Sequence, residues 1–417
     1  MSNLSPAPAK HQASSLARRR ATMGVLLAGA VVIGMGQTIV FAVLPPISRD
    51  LGLHDMQVLT IFMVSAVLWV TMGPIWGRMS DRLGRRPFVL TGVAAFGISM
   101  LMFATVIASG ISGALTGIGL YILLVMTRST YGLLGSSAPP AAQAYIADRT
   151  PLERRTAGLA GYSAAFGFGA MIGPSFAGAF AQLGPVAPLY AIAIFALMIA
   201  VTAAFVMREA TPPKARQAPP RLSPLDPRIR VQLAFALTTA VAMALVTQFT
   251  SFYVIDRLGV AGSEALQVAG VALSASAGAA LFAQVALVQR FNLSPRLLMR
   301  AGPAFIFVGH SIIALSASLG PLSFGMMLAG LGSGLCGPGV TGAASLAVRK
   351  EEQGAIAGLT NAAMAMSFLI APAAGWAIYS WEPRALFCAT AVLGLSAMVA
   401  AFVLPQLRTT PSMTIGE

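Results

Sequence analysis

Charge is what this sequence has least of: only 10% of its 417 residues are Asp, Glu, Lys or Arg, against about a quarter in a typical soluble domain. The apolar residues AVILMFWYC make up 57%, more than a core of this size can hide, so the excess must face lipid. Soluble enzyme folds are thereby excluded. So is disorder, which needs low hydropathy, because the mean hydropathy is +0.78. Cysteine is nearly absent. Cys336 and Cys388 both sit in apolar runs and form neither a disulfide framework nor a metal-ligand spacing. The three histidines, His11, His54 and His310, show no metal pattern either, and no nucleophile–base pair lies within sequence reach, which disfavours a membrane-embedded enzyme. No nucleotide-binding loop occurs, excluding an ATP-driven pump that supplies its own motor. Nothing resembles the selectivity filter or ring of like charge of a channel. Neither a metal nor a cofactor is expected.

What is present is a series of apolar runs near the length of about 20 residues that crosses roughly 30 Å of hydrocarbon. Twelve can be placed, at 22–46, 57–77, 88–108, 114–140, 156–181, 186–207, 231–254, 265–289, 298–319, 321–347, 354–380 and 384–404. They lack the alternating pattern of a membrane barrel, and a helix satisfies every backbone group within its own segment. The predicted fold is an all-α membrane protein of twelve transmembrane helices. The first run is too long for a cleavable signal, and further spans follow it.

The loops give an orientation. With the N-terminus inside, only Arg49, Arg257 and Arg384 of the 27 Lys and Arg fall outside, and Arg128 lies within a span. The positive-inside rule then puts both termini in the cytoplasm. The formal charge of +14 is accordingly a topology signal, with no nucleic-acid partner implied. Residues 208–230, holding Pro212, Pro213, Pro219, Pro220, Pro224, Pro227 and six basic residues, read as an extended, semi-rigid connector. The expected organisation is a cytoplasmic tail at 1–21, a six-helix bundle at 22–207, the linker at 208–230, a second six-helix bundle at 231–404 and a tail at 405–417. A repeat supports the division. GLLGSSAPP at 132–140 resembles GLGSGLCGPG at 330–339, AGL at 157–159 recurs at 357–359, and Pro174 has a counterpart in Pro372. Two like bundles related by an axis along the membrane normal place a site between them near the midplane.

Between spans 2 and 3 stands Gly77-Arg78-Met79-Ser80-Asp81-Arg82-Leu83-Gly84-Arg85-Arg86. This resembles the loop signature of the major facilitator superfamily, G-x-x-x-D-R-x-G-R-R, with every fixed position filled. Arg128-Ser129-Thr130-Tyr131-Gly132 is similar to the superfamily's R-x-x-x-G element in span 4. Gly169 to Gly178, with Pro174, resembles the span-5 element of its drug:proton antiporters, Ala177 standing where glycine is usual. The stretch from Tyr145 through Asp148 to Arg154 is similar to the loop between spans 4 and 5 of that group. The resemblance implies two six-helix bundles of the major facilitator fold in a bacterial cytoplasmic membrane. It further implies export of a small organic molecule, drug or metabolite, by proton antiport with alternating access, and a monomer whose partners are substrate, protons and lipid. A metabolite importer or facilitator of the same fold is the alternative, because fold does not fix direction. It also implies that Asp81, Arg85 and Asp148 form a charge cluster, with Gly77, Arg82, Gly84 and Arg86, that latches the bundles in the outward-facing state.

The residues can be read without the resemblance. Gly77 and Gly84 permit close approach and a tight turn, and Asp81 is placed to meet arginines and a helix N-terminus. Span 5 carries small residues every fourth position, at Ala157, Gly161, Ala165, Gly169, Gly173, Ala177 and Ala181, so helices can pack backbone to backbone. Pro174 is expected to bend that helix, so packing and a hinge are both open for Gly169, Gly173, Pro174 and Gly178. Polar residues inside spans are costly and therefore candidates for function. Arg128 near the centre of span 4, His310 near the centre of span 9, Gln37 and Asn361 are expected to line the cavity or couple the proton; Gln248 and Gln284 are also intramembrane. All 13 acidic residues fall in loops or at span ends, whereas the family resemblance would imply a carboxylate in span 1, as in many relatives that export cations, where this chain has Gln37. The midplane thus holds one fixed positive charge and no fixed negative partner. That tilts the expected substrate toward a neutral, zwitterionic or anionic molecule. The second-bundle counterpart of the loop signature, Gln289-Arg290-Phe291, lacks the aspartate.

Overall fold

The computed structural model describes residues 9–150, 152–208, 222–260, 262–291, 293–349 and 352–408, and among these it is helical with no strands. The first bundle comprises α1 (Ala9–Ser48), α2 (Asp55–Leu83), α3 (Arg85–Ile111), α4 (Gly117–Arg149, with a 3-10 turn at Gly135–Ser137), α5 (Leu152–Phe180) and α6 (Ala187–Val206). The second comprises α7 (Arg230–Leu258), α8 (Gly262–Phe282), α9 (Pro295–Leu315), α10 (Leu319–Leu346), α11 (Gln353–Tyr379) and α12 (Pro383–Val403). A π-turn, Ala283–Gln289, prolongs α8, and a short α13 (Pro405–Arg408) ends the described chain. Among the described residues, twelve helices are long and apolar enough to cross a membrane. The most extensive part of the linker, 209–221, lies outside the described residues.

The turns are where backbone chemistry forces a break. Gly84, at φ +99°, separates α2 from α3 in a conformation that side chains rarely adopt. Ser294 accepts from the Leu297 amide and Pro295 occupies the first turn, which together start α9. Pro174 is accommodated within α5.

The two halves use the same packing scheme. In the first bundle α1 lies on α5, α2 on α4 and α3 on α6; in the second, α7 lies on α11, α8 on α10 and α9 on α12. The pairs are related by a shift of six helices, so the weak repeat in the sequence is a repeat of contacts. The α1–α5 crossing is made backbone to backbone. A Cβ on Gly169 would collide with the Val31 carbonyl, and one on Gly173 would meet Thr38 and lie 2.6 Å from the Met35 carbonyl oxygen.

Consecutive helices alternate direction, so one face carries the α2–α3, α4–α5 and α8–α9 turns and both ends of the linker. At the opposite face the bundles meet. There α1 packs on α7 and α8, α2 on α11, and α5 on α8. Gly178 of α5 and Gly270 of α8 approach so closely that a Cβ on Gly270 would stand 3.2 Å from the Gly178 Cα. The Ser251 hydroxyl of α7 donates to the Phe41 carbonyl of α1 at 3.1 Å, and Phe41 stacks with Phe368 of α11 at 6.2 Å between centroids.

The ends of the chain differ from expectation. The first helix begins at Ala9, well before the span placed at 22–46, because Ala, Gln, Leu and Arg sustain a helix beyond the hydrocarbon. Residues 405–408 form α13 instead of tail, with Leu407 buried against α7 and α9.

Candidate functional site

Polar groups gather at three levels: the linker face, mid-depth and the opposite face. At the linker face Gly84 turns the chain so that Arg85 points back under α2. Arg85 is ion-paired with Asp81, donates from Nη1 to the Ser80 hydroxyl at 2.8 Å, and approaches Asp148 of α4 from Nε at 3.4 Å. Arg85 and Asp148 are buried, while the Asp81 side chain is 58% exposed. Asp81 is therefore the member left free to meet something else. Arg86 reaches across α3 to donate to the Ala204 carbonyl of α6 at 2.7 Å, and Arg82 is exposed. Gly77 sits beside Pro140, with room for a Cβ at 3.7 Å. Arg149 lies over the Tyr145 ring, 4.6 Å from its centroid, and both side chains bond to the Arg208 carbonyl. The partners described for this cluster belong to the first bundle, so it ties α2, α3 and α4 together in this state.

At mid-depth Arg128 is 3% exposed. Its guanidinium lies 4.7 Å from the centroid of Tyr131, one turn along α4, and its Nε and Nη1 have no partner among the described residues. The backbone around it is fixed from outside, since Ser65 of α2 donates to the Arg128 carbonyl at 3.2 Å and Ser99 of α3 to the Thr127 carbonyl at 2.6 Å. Tyr131 is walled by Trp69 at 4.8 Å and Phe96 at 5.2 Å between centroids. Gln37 of α1 is half-buried and approaches the Tyr131 hydroxyl, which nonetheless lacks a well-formed hydrogen bond. Gln37 and Arg128 each stand about eleven residues from the helix end at the far face, roughly 17 Å at 1.5 Å per residue. Gln248 of α7, fully buried with neither amide atom partnered among the described residues, lies at a similar depth.

Of the other two expected cavity residues, His310 differs from expectation in its depth. His310 is fully buried but stands near the far-face end of α9, not at its centre, because α9 stops at Leu315 where Ser316 caps it. It packs toward Thr390 of α12, with neither ring nitrogen well bonded, and so lies inside the second bundle. Asn361 is exposed on α11, and Gln284 is exposed in the π-turn. Of the span-5 residues, Gly169 and Gly173 face α1, Pro174 is buried and Gly178 faces the second bundle.

The third cluster has no counterpart in the sequence reading. Just past α1, Arg49 donates from Nη2 to Asp55 of α2 at 2.8 Å and from Nη1 to Asp256 of α7 at 2.6 Å. The Tyr379 hydroxyl at the end of α11 donates to the other oxygen of Asp256 at 2.8 Å. The hydrogen bonds to Asp55 and then Asp256 hold the Arg49 pKa above the ordinary arginine value, outweighing desolvation. Arg49 and Asp256 are 207 residues apart in the chain, and nothing in their local sequence marks them as a pair. The available signal was the scarcity of basic residues on that side, which makes each one conspicuous.

These observations define a multi-pass membrane protein of two like six-helix bundles, with a charge cluster at each face and a lone guanidinium between them. The sequence profile of the Major Facilitator Superfamily matches residues 26–372, and the chain belongs to that superfamily. It is 26% identical over 373 residues to tetracycline resistance protein, class C, of Escherichia coli, spanning 85% of this chain and 89% of that one. It is 28% identical over 193 residues to multidrug resistance protein 1 of Bacillus subtilis (strain 168), and spans 46% of that protein's length. The fold is similar to that of a bacterial homologue of the human lysosomal transporter Spinster in an inward-facing, unoccupied conformation, with a TM-score of 0.68, 15% identity, and coverage of 95% of this chain and 99% of that one. It is also similar to the human organic anion transporter MFSD10 (TETRAN), with a TM-score of 0.65, 18% identity, and coverage of 92% and 99%. At those identities the likeness establishes the fold.

Proposed function

We propose that this protein is a secondary active transporter that exports a small organic molecule from the cytoplasm in exchange for protons. The observation that carries this reading is the match along 85% of the chain to a tetracycline resistance protein. The clustering of basic residues at the linker face supports placing that face, and both termini, in the cytoplasm of a bacterium. In that orientation the meeting of the bundles at the opposite face is an inward-facing arrangement. Alternating access then consists of rocking one bundle against the other about a mid-depth site.

Within this reading Arg128, Gln37 and the hydroxyl of Tyr131 form the polar part of the mid-depth site. A permanently charged guanidinium in hydrocarbon costs at least a few kcal/mol, and the acidic residues all fall in loops or at the ends of spans, none at mid-depth to offset it. A substrate carrying an anionic or strong acceptor group supplies the missing partner. This favours zwitterions and anions over lipophilic cations. The cluster of Asp81, Arg85 and Asp148, with Gly77, Arg82, Gly84 and Arg86, stabilises the state in which the cytoplasmic face is closed. Gly169, Gly173, Pro174 and Gly178 let α5 pack closely while the bundles rock. His310, buried inside the second bundle, is set apart from the Arg128 group, and Asn361, exposed on α11, is a further candidate to line the cavity. The protein acts as a monomer, the two bundles between them completing one site.

The test is uptake into everted membrane vesicles, using labelled tetracycline, a fluoroquinolone and tetraphenylphosphonium as probes. Respiration-driven accumulation of a zwitterionic probe, abolished by a protonophore, is expected. Entry that survives the protonophore but only equilibrates the probe, without accumulating it, would instead establish facilitated flow. Uptake of the phosphonium alone would overturn the charge argument.

A further inference from the structure

The far-face cluster has a division of partners that no single-bundle role requires. Arg49 keeps Asp55, which belongs to its own bundle. Asp256 keeps Tyr379, which belongs to its own bundle. Within this cluster, among the described residues, only Arg49 Nη1 to Asp256 Oδ1, at 2.6 Å, crosses between the bundles. If that contact opens, each half retains a bonded partner: the guanidinium still holds a carboxylate, and the carboxylate still accepts a phenolic hydrogen bond. Removing one partner of a desolvated ion pair ordinarily leaves an uncompensated charge and is strongly destabilising. Here that penalty is avoided on both sides.

We infer that Arg49 and Asp256, positioned by Asp55 and Tyr379, form a reversible latch between the bundles that closes the far face and is released when that face opens. The surroundings fit this role. One level inward, Ser251 donates to the Phe41 carbonyl across the same seam, and Gly178 against Gly270 gives a smooth backbone contact without interlocking side chains. The charged members remain partly exposed, at 38% for Arg49 and 24% for Asp256, so water can solvate them as they part. The contact is accordingly modest in strength, as a gate that must open in every cycle requires. The inference needs only two conformations of the bundles and does not depend on what is transported.

Spin–spin distance measurements on purified protein in lipid nanodiscs test it. Cysteines introduced at Met56 and Trp381, both exposed at the far face, carry the labels, with Cys336 and Cys388 replaced by serine. In Asp256→Asn the long-distance, open population should rise relative to the closed one by about two- to fivefold, the worth of a partly exposed ion pair. Asp55→Asn removes only a same-bundle partner and should shift the ratio less, and Tyr379→Phe should also shift it less. Raising the salt concentration should increase the open fraction in the unsubstituted protein, with little effect in Asp256→Asn. If Asp256→Asn does not fold, Arg49→Gln breaks the same contact from the other bundle and should open the face to a similar extent. Unchanged distances in both variants, or an Asp55→Asn effect equal to that of Asp256→Asn, would overturn the latch. Because the readout is a distance, its failure is distinct from failure of the transport reading, which the vesicle assay decides.

Discussion

Arg128 shows most sharply what a single side chain can reveal in a membrane. It is 3% exposed, its Nε and Nη1 have no partner among the described residues, and the ring of Tyr131 lies 4.7 Å from its guanidinium. A guanidinium cannot shed its charge to escape that cost, and a purely structural residue at this position would have been better as methionine. Replacement should therefore separate stability from activity. Arg128→Lys keeps the charge but loses the planar fork and the stacking, and vesicle transport is expected to fall at least about tenfold, the effect of losing roughly 1.4 kcal/mol of directed binding. Arg128→Ala should abolish transport. Arg128→Met should abolish it too, while leaving the thermal midpoint equal to or above that of the unsubstituted protein, since an unpaired buried charge is gone. A large loss of stability in Arg128→Met would mean that the arginine has a structural partner after all. The sequence marked Arg128 because charge inside an apolar run is conspicuous. It could not mark Tyr131, Trp69 and Phe96 as its walls, because aromatic residues are ordinary in such runs.

At the scale of the helix, the twelve spans were legible from apolar length alone, while their ends were set by capping that hydropathy does not register. Span 9 illustrates the difference. Apolar residues continue past Leu315, but Ser316 ends α9 and Ser318 begins α10, and the earlier stop moves His310 from mid-span toward the far face. The stripe of small residues on α5 was visible as a pattern, yet only the packing tells which members matter. Gly173 touches α1 so closely that a Cβ would stand 2.6 Å from the Met35 carbonyl oxygen, whereas Gly161 of the same stripe has nothing within 4 Å of a Cβ position. Gly173→Val should therefore cost about 1–3 kcal/mol or more, because the neighbour is backbone and cannot repack. Gly161→Val should cost little. Thermal unfolding in detergent compares the two. Equal effects would show that the stripe acts through helix propensity and not through the α1–α5 contact.

For the molecule as a whole, the superfamily fold and the two-bundle division were legible from the repeat and the loop signature, but the pairing of the bundles was not. Loop charges have no period, so the Arg49–Asp256 contact across 207 residues has no trace in the chain order. If both clusters act as proposed, they bias one equilibrium from opposite faces. Asp81 is 58% exposed and on the proposed reading meets the second bundle when the linker face closes; Asp256 is engaged with Arg49 in the structure, where the far face is closed. Asp81→Asn should therefore move the population toward the state seen here, with the linker face open, and reduce vesicle transport sharply while expression stays near normal. Asp256→Asn should move it the other way. Because the two clusters stand at opposite membrane faces, well over 10 Å apart, their effects should add to within about 0.5 kcal/mol. The double variant Asp81→Asn with Asp256→Asn should then return the far-face distance distribution toward that of the unsubstituted protein, although both latches are gone. Transport should stay impaired, since neither end state is held long enough to favour exchange in one direction. The experiment is the four-way comparison of label distances in the unsubstituted protein, each single variant and the double. If the double variant instead resembles Asp81→Asn alone, the far-face contact exerts no control over the equilibrium, and the linker-face cluster sets it by itself.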